Sequence, residues 1–285
     1  MPRSEDELAT IMLMNGIGTI LSYVGELFMI YSYFAHPYNR RYSMKLVISL
    51  IFSDVGYTFA NTLSYFNRNH HICFIEGFLR CFFVISSLVW VMIMLHISYK
   101  QIVNPSPRIE EGYPKLLALN IGLSMVPVIV VAFSHLTSQE AYYGHFLGFC
   151  GVVPEFWEMV LIEVPMWFLI ISTGFYIYWI VRAMRTLHPN KTNVEYRSII
   201  IYPIILTVLW LPNTIDRIIY FFTDDTIYEI ALLHIIATRL EGFANAVIYG
   251  KRHLKILKAA KKRSLTSFLK SGAFAQELQI SEADL

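Results

Sequence analysis

The chain has 285 residues, of which 55% are hydrophobic and only 15% are charged, and its formal net charge is +2. Soluble domains carry about 25% charged residues, so this composition excludes an ordinary soluble protein and indicates a membrane protein. The small net charge says little by itself, and no nucleic-acid partner is expected.

Seven apolar segments follow one another along the chain, each long enough to cross a hydrocarbon core of about 30 Å as a helix. The connections between them are short, and three prolines in the 103–114 connection separate the third helix from the fourth. We therefore predict an all-α membrane protein, a seven-transmembrane helix bundle. Its helices are expected at about 11–34, 44–66, 73–102, 115–134, 157–182, 197–222 and 228–249.

The distribution of basic residues orients this bundle, because Lys and Arg concentrate on the cytoplasmic side of a membrane. With the N-terminus outside, 18 of the 23 basic residues lie in cytoplasmic segments, and only Arg3 and Arg68 lie in outside ones. We therefore expect the N-terminus outside and the C-terminus in the cytoplasm. The acidic start of the chain does not resemble a cleaved signal peptide, and none is expected.

The segment after residue 250 is basic and has Leu254, Leu257, Leu265 and Phe268 at helix-like spacing. This pattern predicts an amphipathic helix on the anionic inner leaflet, followed by a short cytoplasmic tail. The alternative is a basic tail that serves only as a topology signal. We predict that residues 1–250 form the membrane domain and that residues 251–285 form the amphipathic helix and the tail.

The third apolar segment carries its polar residues on one face. At about 100° per residue, they fall within an arc of roughly 60°. A charge near the centre of the hydrocarbon costs at least about 2.5–3.5 kcal/mol, so this stripe must face protein or water, and the helix should be central. The stripe consists of Cys73, Glu76, Arg80, Ser87 and Ser98.

The chain contains three cysteines. In the expected orientation Cys73 and Cys150 both lie on the oxidising outer side, which favours a disulfide between them over two separate thiols. Cys81 lies two turns further into the third helix and is expected to be a buried thiol.

Nine charged residues lie more than two positions inside the predicted helices, and such residues are functional candidates by default. Three are arginines, Arg80, Arg217 and Arg239, which we expect around one cavity where they would suit a carboxylate or a phosphate. Internal ion pairing is the alternative, and both can hold. The six acidic residues are Glu26, Asp54, Glu76, Glu163, Asp216 and Glu241.

Four prolines inside predicted helices mark possible hinges, since each removes a backbone hydrogen bond. Pro212 follows Trp210 in the sixth helix, and a tilt there would move the cytoplasmic end of that helix. Simple packing is the commoner role of such prolines. The other three are Pro127, Pro165 and Pro203.

No catalytic arrangement is apparent in the sequence. Most histidines are in loops rather than clustered at one depth, and the last helix has no lysine for a retinal Schiff base. Neither a Gly-rich phosphate loop nor a nucleophile elbow is present. We therefore predict a protein that is not an enzyme and has no cofactor or metal.

Several motifs occur together in a characteristic order. They are YSMKLVISLIFSDV, CFIEGF with SSLVW, LGFC, VPMW, YPIILTVLWLPNTIDRI and EGFANAVIYG. With this order and spacing, the chain resembles the cyclic-AMP-receptor-like family of G-protein-coupled receptors, including its plant-type members, over about residues 40–255.

This resemblance implies a receptor that couples an outside ligand to a heterotrimeric G protein. It implies a Cys73–Cys150 disulfide between the third helix and the outer loop. Asn245 and Tyr249 resemble a microswitch in helix seven, and Asp54 resembles its acidic companion in helix two. HISYK replaces the D/E-R-Y triad of the rhodopsin-like class.

Together these observations predict a multi-pass plasma-membrane receptor for a small ligand, with an anion as one candidate, that contacts membrane lipids and activates a G protein through movement of helix six near Pro212. The expected ligand anchors are Glu76, Arg80, Glu163, Trp167, Asn213, Arg217 and Arg239. The expected G-protein contacts are Arg40, Arg41, Lys100, Arg182, Arg185 and Lys251.

Two alternatives stay open. One is a seven-helix transporter or ion-coupled carrier whose charged stripe forms the path, although internal repeats and paired broken helices are not apparent in the sequence. The other is a structural subunit of a larger membrane assembly, with the charges as buried pairs.

Overall fold

The computed structural model describes most of the chain as long helices. The described residues are 5–35, 42–66, 70–103, 112–137, 143–146, 149–152, 159–187, 194–223, 226–248 and 250. The predicted amphipathic helix and tail at 251–285 lie outside the described residues.

Eight helices and one hairpin make up the described chain. The first four helices are α1 (Glu5–Ala35), α2 (Tyr42–Leu63, continued by a 3₁₀ turn at Ser64–Phe66), α3 (His70–Val103) and α4 (Tyr113–Thr137). After the hairpin come a π-helical turn (Met159–Glu163), α5 (Val164–Leu187), α6 (Val194–Thr223) and α7 (Tyr228–Arg239), and then α8 (Glu241–Ile248).

The hairpin interrupts what the sequence predicted to be a plain outer loop. Its strands are β1 (Tyr143–Phe146) and β2 (Phe149–Val152), which pair antiparallel. Both strands contact α3. Cys150 lies in β2 and is paired in register with His145, so the hairpin presents the second cysteine to the third helix.

The helix α3 is the centre of the bundle, as its polar stripe predicted. It packs against α2, α4 and α5, and along it Leu88, Trp90, Val91 and Leu95 are almost completely buried. With 34 residues it is about 51 Å long, well beyond the hydrocarbon thickness. The other helices turn large apolar side chains outward, for example Phe133, Phe168 and Phe222.

Polar links join α2, α3 and α4 inside this apolar core. The Ser86 hydroxyl donates to Asn120 Oδ1 at 2.7 Å, and Asn120 Nδ2 donates to the Ser86 carbonyl at 2.8 Å. The hydroxyls of Ser53 and Ser86 lie 2.8 Å apart. Buried polar groups must find partners because an unpaired one costs about 1–3 kcal/mol, so these bonds fix how the three helices face one another.

Within the part of the chain that the structure describes, five helices are long and apolar enough to span a membrane, or six if the bent α7–α8 pair is one span. These candidate spans are Ala9–Ala35, Met44–Phe66, His71–Val103, Tyr113–Phe133, Val164–Thr186, and the pair Tyr228–Arg239 with Glu241–Ile248. The protein is therefore a membrane protein built from helices.

The observed helices follow the predicted ones closely at the N-terminal end of the chain but differ near the C-terminal end. The seventh apolar segment was expected to form one helix over 228–249. Instead α7 ends at Arg239, and α8 begins at Glu241 with its axis turned by 45°. The apolar composition of a segment predicts that it is buried in lipid or protein, but it does not predict where the helix backbone breaks.

Candidate functional site

The polar stripe of α3 begins where the hairpin meets the helix. Cys73 and Cys150 form a disulfide with a Cα–Cα distance of 5.1 Å, so the predicted pairing is confirmed. Glu76 Oε1 accepts a hydrogen bond from the Cys150 backbone N–H at 3.1 Å. Arg80 Nη1 donates to the Cys150 carbonyl at 3.0 Å. Three successive turns of α3 therefore bind Cys150, through its side chain, its backbone N–H and its carbonyl.

These contacts change the interpretation of the first two predicted anchors. Glu76 is fully buried, and it bonds the hairpin backbone, so its position fits a structural clamp. Arg80 is half-buried and lines a cavity in addition to its bond with Cys150. A single arginine can serve both purposes because its guanidinium group has five donors.

That cavity, the disulfide-end cavity, lies below Cys150 between α2, α3, the turn before α5, α6 and α7. It has a volume of about 60 Å³, which is room for several water molecules. Two arginines, Arg80 and Arg217, line it among otherwise mixed polar and apolar groups. The remaining lining residues are Tyr57, Gly77, Cys81, Val84, Cys150, Ile162, Glu163, Trp210, Asn213 and His234.

The polar residues of this cavity are held in place by bonds between helices. Asn213 Nδ2 on α6 donates to Glu163 Oε1 at 2.9 Å, which joins α6 to the turn before α5. His234 Nδ1 on α7 lies 3.0 Å from Asp216 Oδ2 on α6. Each bond crosses an interface between two helices, so a change in these contacts would accompany any relative movement of the helices.

Trp167 belongs to the same end of the bundle but is not among the residues that line the cavity. Its Nε1 donates to Thr214 Oγ1 at 3.0 Å, which links α5 to α6. The predicted anchor therefore contacts α6 directly in this structure.

A second cavity, the α1–α2 cavity, contains the third arginine. The sequence predicted one cavity shared by three arginines, whereas Arg239 lines this separate and much smaller space of about 10 Å³, the size of one water molecule. Tyr57 lines both cavities. The other residues around the α1–α2 cavity are Thr19, Ser22, Glu26, Asp54, Thr58, Asn61, Thr238, Glu241 and Gly242.

Arg239 is buried, with its guanidinium carbon 5.6 Å from the centre of the Tyr57 ring. That distance is typical of a cation–π contact. The arginines were predicted to meet because they lie at similar depths in their helices. Arg239 instead faces α1 and α2, where it lies against Gly18 and Tyr57.

The predicted switch residues form two groups of buried hydrogen bonds. Asp54 Oδ1 accepts from Ser87 Oγ at 2.9 Å, and its other oxygen accepts from Asn245 Nδ2 at 2.5 Å. Trp210 Nε1 donates to Glu241 Oε2 at 3.2 Å. Asp54 thus joins α2, α3 and α8, and Trp210 joins α6 to α8. Pro212 lies within α6, and Tyr249 lies outside the described residues.

The described basic residues predicted to contact a G protein share one end of the bundle. Lys100 lies in the last turn of α3, and Arg182 and Arg185 lie near the end of α5; all three are exposed. This end is opposite the disulfide, because α3 enters the bundle at Cys73 and leaves it past Lys100. Arg40, Arg41 and Lys251 lie outside the described residues.

The HISYK sequence near this end makes a contact that its residue types alone did not indicate. His96 Nδ1 lies 3.1 Å from the Tyr176 hydroxyl on α5. Tyr99 also packs edge-on against Tyr176, with ring centres 6.4 Å apart.

Among the described residues, no group of three His, Cys, Asp or Glu side chains converges as a metal site.

Several residues of the two cavities were not singled out from the sequence. Tyr57, Thr58 and Asn61 lie on α2, where only Asp54 had been noted, and Ser22 lies on α1. Their spacing of three, four or seven residues from Asp54 or Glu26 was a signal that they share a helix face with these acids. Such a signal is weak, since polar residues of this size occur on many helix faces.

Comparison with known proteins identifies several relatives of the chain. No protein-family model matches the chain. It is 24% identical over 263 residues to G-protein coupled receptor 1 of Arabidopsis thaliana, covering 83% of this chain and 76% of that protein. It is 23% identical over 189 residues to Cyclic AMP receptor-like protein C of Dictyostelium discoideum, covering 62% and 50% of the two chains.

The chain is a relative of the cyclic-AMP-receptor-like G-protein-coupled receptors. The resemblance seen in the sequence motifs is thereby confirmed. A third relative is Ascaroside receptor GPR2 of Arthrobotrys oligospora, 22% identical over 179 residues that cover 58% of this chain and 43% of that protein. The chain spans about half the length of the Dictyostelium and Arthrobotrys relatives named here. All three relatives are named as receptors rather than enzymes.

Proposed function

We propose that this protein is a plasma-membrane receptor that binds a small ligand at the disulfide end and activates a heterotrimeric G protein at the opposite end. In this proposal the bundle has seven spans, with α6 as a further span and α7–α8 as the last. Its N-terminus is outside and its C-terminus cytoplasmic. Receptor relatives that cover most of the chain support the class, and the basic residues at one end support the orientation.

The observation that carries the ligand proposal is the pair of arginines in the disulfide-end cavity. Arg80 and Arg217 line one space of about 60 Å³ together with Asn213 and His234. Guanidinium groups bind carboxylates and phosphates with paired hydrogen bonds. We therefore expect a small organic anion, and the Glu163–Asn213 bond offers neutral and acidic partners for the rest of such a molecule.

A route from this cavity to the opposite end runs through α6. Trp210 lines the cavity and bonds Glu241 on α8, so a ligand that displaces the indole would change a contact between α6 and α8. Pro212 lies two residues further along α6 and is the expected pivot. Movement of α6 would open the basic end near Lys100 and Arg182 to a G-protein helix, which is the switching step of the proposal.

Nucleotide exchange on a reconstituted G protein tests this proposal. The purified protein is combined with a panel of cyclic nucleotides and small organic anions, and exchange is measured for the wild type and for Arg217→Ala. We expect at least one anion to accelerate exchange, and we expect Arg217→Ala to shift its half-maximal concentration upward by roughly tenfold or more, as for a lost charged hydrogen bond.

Two further variants make the result specific. Arg80→Ala should have a similar effect, but it also removes a bond to Cys150, so Arg217→Ala is the cleaner test. Lys115→Ala removes an exposed basic residue of α4 and should change nothing. Ligand-dependent exchange that survives both arginine variants would keep the receptor and remove the anion site. No exchange with any compound, from protein shown to be folded, would contradict the receptor proposal.

A transporter is the second candidate, and one observation favours it. Broken helices near buried charges are typical of transporter binding sites, and here a 45° break falls between Arg239 and Glu241. Flux of the same anions into proteoliposomes distinguishes the two candidates. Flux without nucleotide exchange would favour the carrier, and exchange without flux would favour the receptor.

A further inference from the structure

The bend between α7 and α8 needs a physical cause. Its apex is Leu240, with φ −84° and ψ 1°, and the two helix axes differ by 45°. Sharp helix bends arise at proline, at small flexible residues, or where a side chain or water enters the backbone hydrogen-bond ladder. Residues 228–248 contain no proline, so an inserted group is the first cause to examine.

The inserted group is the hydroxyl of Ser22 on α1. Ser22 Oγ donates to the carbonyl oxygen of Arg239 and accepts from the backbone N–H of Phe243 at 3.2 Å. In an unbroken helix that N–H would bond the carbonyl four residues earlier, which is the Arg239 carbonyl itself. The hydroxyl therefore stands between the two backbone groups of one missing ladder bond and satisfies both.

Backbone hydrogen bonds mark the two ends of the bend. The Leu240 N–H bonds the Ile236 carbonyl at 3.1 Å, and the Ala244 N–H bonds the Leu240 carbonyl at 2.8 Å. The interruption therefore lies between these two bonds, at the N–H groups of residues 241–243, and the last of these groups is the one that Ser22 of α1 accepts from.

Glycines allow α1 to approach closely enough for Ser22 to reach the backbone. A Cβ atom on Gly18 would lie 2.6 Å from the Arg239 Cβ, and one on Gly25 would lie 2.8 Å from the Ala246 Cβ. Both distances are too short for real carbon atoms. Gly18, Ser22 and Gly25 share one face of α1 by their spacing, and this face presses on both sides of the bend.

We propose that Ser22 is the positioning residue of the α7–α8 bend: its hydroxyl, inserted between Arg239 and Phe243, sets the angle between the two helices. The bend separates Arg239 from Glu241 so that each reaches a different neighbour. Arg239 lies over the Tyr57 ring on α2, and Glu241 accepts from Trp210 on α6. A residue of α1 therefore controls a contact of the disulfide-end cavity without lining that cavity.

The direct test is the angle of the bend in the full-length protein, measured without ligand or G protein. Spin labels are placed at Val247 on α8 and Leu117 on α4, both exposed, through genetically encoded unnatural amino acids that leave the native cysteines in place. In Ser22→Ala the two freed backbone groups, which are buried, must bond each other. Straightening a 45° bend would move Val247, seven residues past Leu240, by up to about 8 Å.

A matched control is Ser124→Ala, which removes a buried hydroxyl that donates to the Asn120 carbonyl of its own helix. It should leave the distance between the labels unchanged. An unchanged distance in Ser22→Ala as well, from protein that elutes as a single folded species, would overturn the proposal.

A second variant keeps the test decisive if Ser22→Ala folds poorly. Proline at position 243 has no N–H and prevents the ladder bond from forming. If Ser22 acts by replacing that bond, Phe243→Pro should fold with the wild-type distance, and the Ser22→Ala, Phe243→Pro double variant should recover it. Leu233→Pro, in the unbroken part of α7, should instead disrupt folding. A double variant that stays straight or fails to fold would contradict the proposal.

The role in signalling rests on the proposed receptor function, and it is tested separately. If the receptor proposal is correct, Ser22→Ala should alter basal nucleotide exchange through the Trp210–Glu241 contact, and Phe243→Pro should restore it. If no exchange is seen with the wild type, the receptor proposal fails while the measured distance still decides the role of Ser22.

Discussion

The two cavities differ in size, in lining and in what holds them together. The disulfide-end cavity is about 60 Å³, contains Arg80 and Arg217, and lies beneath a hairpin that is cross-linked to α3. The α1–α2 cavity is about 10 Å³, and glycine, serine and threonine bring its helices into close contact around Glu26, Asp54 and Glu241. The first has room for several water molecules, whereas the second has room for a single one between closely packed helices.

The largest expected effect concerns the cross-link that supports the disulfide-end cavity. Replacing Cys73 and Cys150 together by alanine should lower the free energy of unfolding by about 2–5 kcal/mol, because the cross-link closes a long loop of 77 residues in the unfolded chain. Chemical denaturation in detergent measures this change. Cys81→Ala, which removes the cysteine outside the disulfide, should cost clearly less.

An equal loss in both variants would show that the effect reports lost cysteine packing rather than the cross-link. The hydrogen bonds of Glu76 and Arg80 to Cys150 would remain in the double variant. We therefore expect the hairpin to stay near α3 even when the covalent bond is gone.

The next effect concerns the close packing of the α1–α2 cavity. A Cβ on Gly242 would lie 2.0 Å from Glu26 Oε1, a buried carboxylate oxygen. Gly242→Ala should therefore destabilise the protein by about 1–3 kcal/mol, as overpacking does. Thermal unfolding of the purified protein in detergent measures the change.

Glycines with open surroundings provide the control. Neither Gly122 nor Gly174 has an atom within 4 Å of an added Cβ, and both lie inside helices. Alanine at either position should be neutral or should stabilise by up to about 1 kcal/mol. If Gly242→Ala behaved like these two, the tight contact between α1 and α8 would not exist.

The smallest effect concerns Trp167 beside the disulfide-end cavity. Trp167→Phe removes the indole donor to Thr214 and should cost about 0.5–1.5 kcal/mol, the net value of one hydrogen bond. Trp179→Phe, an exposed tryptophan on the same helix, should cost less. If Trp167 contacts the ligand as the sequence predicted, ligand potency in the exchange assay should fall by more than this loss of stability explains.

The general architecture could be predicted from the sequence because it depends on additive properties. Hydrophobicity located the helices, and the charged face of the third segment identified α3 as the central helix. The pairing of Cys73 with Cys150 followed from the expectation that both cysteines lie on the oxidising side of the membrane. These predictions need only the number and the positions of the residue types, and they depend little on which residues are in contact in the folded protein.

The candidate site could be predicted only in part. Arg80, Glu163, Asn213 and Arg217 were expected around one cavity, and they line one. Arg239 was expected with them and instead lines the α1–α2 cavity, while Glu76 bonds the hairpin backbone. Depth along a helix can be counted from the sequence, but the neighbouring element that a side chain faces cannot.

The sequence by itself determined a helical membrane protein with a central polar helix, a disulfide between that helix and a later loop, and a family of receptor relatives. Only the tertiary structure decided that the polar residues divide between two cavities and that the last segment bends at Leu240. The physical reason is that the bend depends on a hydroxyl from α1, more than 200 residues earlier in the chain. The local sequence pattern predicts the secondary structure of a segment. A hydrogen bond between distant helices forms only when both helices are packed together.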